Sequence, residues 1–84
     1  MASAEAITDH DEIRQWAEKN GGRPAAVKGT GKGDEPGVLR LDFGEPDEGL
    51  EEISWDAWFH AFDRNKLALL RGEDSRFNKL IGRN

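Results

Sequence analysis

Ser54-Trp55-Asp56-Ala57-Trp58-Phe59-His60-Ala61-Phe62-Asp63-Arg64-Asn65 is the stretch whose pattern decides how the chain folds. Trp55, Trp58, Phe59 and Phe62 recur at the spacing that lines one face of an α-helix. Ser54 offers a side-chain oxygen to the first free N–H groups, and Ile53 before it can close over Trp58. Asn65 is a natural stop. Asp56, His60, Asp63 and Arg64 collect on the opposite, wet side. A stripe of two indoles and two phenyl rings has to be buried, so the rest of the chain must supply an apolar surface to receive it.

Upstream, Val38-Leu39-Arg40-Leu41-Asp42-Phe43 supplies one. Leu39, Leu41 and Phe43 face one way and Arg40 and Asp42 the other, the alternation of a half-buried strand. Ala25 to Gly29 reads as a shorter, weaker strand, and the glycine-rich run Gly29 to Gly37 between the two as a hairpin loop without a large apolar anchor. Before these, Asp9 with Glu12 fits a capping box, and Ile13, Trp16 and Ala17 make an apolar stripe. Asn20-Gly21-Gly22 and then Pro24 stop that helix, which spans 9–20. Gly44 to Gly49, with Pro46, is a turn. Downstream, Leu67 to Leu70, the turn residues Arg71 to Ser75 and the resumption at 76–81 read as a second hairpin rather than a third helix, because Gly72 and Gly82 flank it.

The expected class is therefore α+β: one small domain over residues 7–84, after a flexible tail of residues 1–6. The expected order is α-β-β-α-β-β, with both helices on one face of an antiparallel sheet. The helix–hairpin unit occurs twice, but the aligned residues do not match, so no homologous repeat is read from it.

Composition narrows the functional classes. A chain of 84 residues buries only about 60–65% of its unfolded surface, enough for one modest core. There is no cysteine, which removes disulfides, thiolate metal sites and thiol catalysis. No apolar run is long enough to cross a membrane as a helix, and Met1-Ala2-Ser3-Ala4-Glu5 lacks the basic and apolar regions of a signal peptide. The expectation is a cytoplasmic protein without a membrane role. The formal net charge of -5 is unevenly spread. Residues 34–63 set Arg40 against ten acids, whereas residues 64–84 carry six bases and only Glu73 and Asp74.

That division leads to the candidate site: Lys28 and Lys32 in the first hairpin loop, with Arg71, Arg76, Lys79 and Arg83 of the second, as an anion- or partner-binding patch. Lys28-Gly29-Thr30-Gly31-Lys32-Gly33 could bring backbone N–H groups and two ammoniums to a phosphate, yet it matches neither the P-loop nor the dinucleotide spacing. A hairpin loop with solubilising charges is the simpler reading. Asp9-His10-Asp11 with His60 lacks metal-ligand spacing, since adjacent helical residues point apart, so no metal and no cofactor are expected. Ser3, Ser54 and Ser75 fall in a tail, a cap and a turn, and no nucleophile with its base can be assembled.

The stretches Ile7 to Ala17, Gly21 to Ala25, Val27 to Thr30, Val38 to Phe43, Leu50 to Trp55 with Trp58-Phe59 and Phe62-Asp63, and Ser75 to Leu80 resemble a group of small stand-alone bacterial proteins of about this length. Some of that group carry the automatic label 1,4-alpha-glucan branching enzyme. The resemblance spans nearly the whole chain and implies one complete domain, but it brings no catalytic residues with it. Retaining glycosyl transfer needs two carboxyl groups about 5 Å apart across a sugar, in enzymes built on barrels of about 250 residues. The function expected is thus a non-catalytic binding or interaction module with a protein partner. A nucleic-acid-associated protein using the two basic hairpins is the alternative, disfavoured by the acidic total charge, and an enzyme comes third.

Overall fold

The computed structural model describes residues 4–33, 36–45, 47–72 and 78–83, in the order β1 (Ala4–Ile7), α1 (His10–Lys19), β2 (Gly22–Val27), β3 (Leu39–Phe43), β4 (Leu50–Glu52), α2 (Trp55–Arg64), β5 (Leu67–Gly72) and β6 (Asn78–Gly82). The α+β class is as the sequence predicts. The order differs from α-β-β-α-β-β by two added strands, β1 and β4, each preceding a helix. Residues 4–6 of the expected tail belong to β1. Leu50-Glu51-Glu52 carries too little apolar surface to read as a strand, and Ala4-Glu5-Ala6-Ile7 is rich in alanine. Strand β2 runs from Gly22 rather than Ala25, since its Pro24 and Gly22 read as loop residues.

The chain is two β-α-β-β units in succession. Asp9 caps α1 by accepting from the N–H groups of Asp11 and Glu12, and Ser54 caps α2 through Ala57 N–H. Asn20 and Asn65 close the helices in the same way, each donating Nδ2–H to a carbonyl four residues back, Trp16 at 2.8 Å and Ala61 at 2.9 Å. The next residue in each unit is left-handed, Gly21 at φ 77° and Lys66 at φ 52°.

The first strand of each unit pairs with the other unit. Strand β1 lies antiparallel to β5, with Ile7 opposite Leu69, and β4 lies antiparallel to β2, with Glu51 opposite Ala26. Two three-stranded sheets result, ordered β1-β5-β6 and β3-β2-β4, in place of the single expected sheet. They meet at β6 and β3, which touch but exchange no backbone hydrogen bond among the described residues. The shortest dimension of the molecule is 18 Å, the depth of one helical layer on one strand layer.

The core fills the space between those layers. Ile13 and Ala17 come from α1, Trp58, Ala61 and Phe62 from α2, Leu39 and Leu41 from β3, Ile7 from β1 and Leu69 from β5. Trp58 is 0% exposed, stacks on Phe62 at 5.2 Å between centroids, and meets Trp55 and Phe59 edge-on. Its indole N–H donates to the Arg40 carbonyl at 3.0 Å, so the same side chain fills the core and ties α2 to β3. Trp58→Ala is expected to cost about 3–5 kcal/mol in chemical denaturation, and Trp58→Phe about 1–2 kcal/mol, for the smaller ring and the lost indole hydrogen bond to a carbonyl that keeps its ladder partner on β2. Equal costs for the two variants would show that the hydrogen bond adds nothing.

Candidate functional site

The seam between the sheets does not close equally at its two ends. In the first unit Phe43 lies opposite Gly22, and its ring sits so close that a Cβ on Gly22 would lie 2.6 Å from it. Trp16 packs edge-on against the same ring at 5.9 Å. The matching places in the second unit hold Leu67, Gly82 and Ala61, with much less side-chain volume. At this end a cleft of about 570 Å³ opens. Val38, Leu39, Leu67 and Leu80 give it apolar walls, Thr30 and Gly37 come from the first hairpin loop, and Arg40, Arg64 and Asn65 supply the polar groups. No Asp or Glu lines it among the described residues. Val38, 44% exposed, is the large apolar residue most open to solvent there.

The wall formed by the glycine-rich loop is built rather than loose. Thr30 Oγ1 donates to the Val27 carbonyl at 2.6 Å and accepts from Val38 N–H at 3.0 Å, closing the hairpin across its mouth. Gly37 sits at φ 92°, where a Cβ would come 2.6 Å from the Gly31 nitrogen, so only glycine fits. The anchor is thus a hydroxyl, not the apolar side chain whose absence suggested a free loop. A smaller hollow of about 300 Å³ lies against Lys28, Gly29, Gly31 and Gly33, but Glu51 also lines it, which counts against a phosphate there.

The candidate bases divide. Lys28 and Lys32 are exposed on the loop that reaches the cleft through Thr30. Arg83 lies at the same end but is engaged: Nε donates to the Leu67 carbonyl at 2.6 Å, Nη2 to Asp63 at 2.9 Å, and the guanidinium covers the Phe62 ring at 5.3 Å. Arg71 pairs with Glu5 at 3.8 Å, four residues along β5 from Leu67 or about 13 Å. Lys79, opposite Leu70, is exposed on the same far half of that hairpin. Arg76 falls outside the described residues. Arg40 and Arg64, which do line the cleft, show in the sequence only as charges on solvent-facing sides.

His10 is the other departure. Its Nε2 lies 3.0 and 2.9 Å from the two carboxylate oxygens of Asp63, and its ring stacks on Phe59 at 4.2 Å. The pair joins the start of α1 to the end of α2, and Arg83 brings the end of β6 to the same carboxylate. Among the described residues no three His, Asp or Glu side chains gather to hold a metal.

In comparison with known proteins, no family model matches the chain, and neither a curated protein nor a solved structure matches it.

The hydrogen bond from His10 is the largest cause holding the Asp63 carboxyl below its ordinary range, against some burial and with help from Arg83. A depressed carboxyl stabilises the fold above its unfolded value of about 4, and this contribution is lost as pH falls through the folded value. Asp63→Asn should therefore lower stability by ~0.5–1 kcal/mol at neutral pH, where the half-exposed pair is solvent-screened. Parent and variant should converge as pH falls through the lowered folded value of Asp63, as urea denaturation across pH will show. A constant difference down to pH 2 would assign the loss to packing instead.

Proposed function

We propose that this chain is a non-catalytic binding module that receives a segment of a partner protein in the cleft at the seam. The cleft carries the reading. Its volume lies in the range of about 300–1,000 Å³ typical of ligand sites, and its few polar groups sit on apolar walls. Among the described residues that line it there is no nucleophile with a base and no pair of carboxyl groups, the sets that acyl transfer and retaining glycosyl chemistry need. His10 and Asp63, the most enzyme-like pair, are spent joining the two helices. No helix among the described residues is long and apolar enough to cross a membrane.

Nucleic acid fits less well. Arg71 is paired with Glu5 and Arg83 with Asp63, and Asp47, Glu48, Glu51 and Glu52 lie along β4 and the turn before it, at the edge of the β3-β2-β4 sheet, so a long polyanion meets repulsion there. The test is capture of partners from the protein's own host on immobilised parent, Val38→Glu and Glu48→Lys. Both substituted residues are exposed, so both variants are expected to fold, which thermal melts will verify. Proteins retained by the parent and by Glu48→Lys but lost with Val38→Glu support the reading. The same proteins on all three surfaces, or oligonucleotide binding at about micromolar affinity in 150 mM salt, would overturn it.

A further inference from the structure

Resting on that reading, we infer that the occupant is a short extended peptide segment alternating acidic and apolar residues, which adds to the edge of β3 and places a carboxylate on Arg40. The geometry begins with the strand edge. Val27 N–H donates to the Val38 carbonyl, which makes Val38 a hydrogen-bonded partner of β2. By the alternation of antiparallel ladders, the backbone groups of Leu39 turn the other way, into the seam. Strand β6 does not meet them, and the carbonyl of Leu39 is covered instead by the guanidinium of Arg40, 3.0 Å away. Arg40 is exposed, so this cover is a side chain on a surface and can be displaced. An incoming strand donates its own N–H to Leu39, the pairing by which an extended peptide extends a sheet. That exchange frees the guanidinium for a carboxylate on the peptide, a stronger bond than the one given up.

Charge and shape define the segment further. Arg40 lines the cleft, Lys28 and Lys32 stand on the loop beside it, and no Asp or Glu lines it among the described residues, although the chain as a whole carries a net charge of -5. A short acidic segment profits from the local field, whereas a longer polyanion meets the acids along β4 and the turn before it. Val38, Leu67 and Leu80 offer apolar contacts for alternate side chains of an extended strand.

The experiment uses the full chain and a labelled, end-blocked heptapeptide, Asp-Leu-Glu-Val-Asp-Leu-Glu, with its Asn/Gln counterpart as the neutral control. Fluorescence anisotropy gives affinity, and amide chemical shifts give the place. The acidic peptide is expected to bind below about 1 mM, to shift residues 37–40, 64–67 and 80, and to weaken as salt rises. The neutral peptide, and the acidic peptide with Arg40→Gln, should each bind roughly tenfold more weakly. Arg40→Gln leaves intact the backbone carbonyl that receives Trp58 and is therefore expected to fold. Equal binding of both peptides in the cleft would overturn the acidic specificity while leaving the docking reading in place. Binding of the acidic peptide elsewhere, or of neither peptide by 1 mM, overturns the inference, and loss of capture with Val38→Glu still decides the docking reading separately.

Discussion

Each unit of this chain gives its first strand to the sheet of the other, and the rest of the architecture depends on that exchange. Ile7 lies against Leu69, while Ala26 receives Glu51, so each central strand is flanked by one strand of its own hairpin and one from the other half. Neither unit holds a three-stranded sheet by itself. Two-stranded hairpins are marginal in water, so the halves reach stability only together. One shared core follows, with side chains from both helices and both sheets around Trp58. In a chain this small that sharing is the economical solution, because two separate cores would each bury too little.

The exchange also leaves a seam. Hairpin strands β3 and β6 become the inner edges of the two sheets, and nothing in the topology requires them to pair. The two units then differ in the side chains at matching places. Phe43 and Trp16 pack over Gly22 in the first unit, whereas Leu67 takes the place of Gly22 in the second and, with Leu80, lines the open cleft. Trp58 fixes one bank of the opening by holding the Arg40 carbonyl, and Thr30 holds the loop that forms its rim. The cleft is thus bounded by parts that the core and the hairpin already position, which keeps the ordering required of a ligand small.

Much of the fold was legible where local pattern and burial agree. The α2 stripe and the Leu39, Leu41, Phe43 alternation announce themselves because their periods match their environments, and the caps at Asp9 and Ser54 are as read. The added strands were not legible. Leu50-Glu51-Glu52 is a strand because Ala25–Val27 offers it hydrogen bonds, a long-range cause that leaves no periodic trace. The split of the sheet has the same origin. Of the site, the sequence marks Lys28 and Lys32 only as members of a basic patch, and nothing in it points to a cleft beside their loop. The role of Arg40 depends on which edge of β3 faces the seam, and His10 and Asp63 stand 53 residues apart, with no local signal to join them.

The central claim is that β3 and β6 remain unpaired across an open seam, and amide hydrogen exchange tests it most directly. Strands β2 and β5, central in their sheets, should exchange only through global unfolding and at closely similar free energies. Along β3, Arg40 N–H should be protected with them, because its groups point into the ladder with β2, while Leu39 N–H should exchange far faster. Protection of Leu39 equal to that of Arg40 would mean that the two sheets form one continuous ladder, and would contradict the seam and the cleft together.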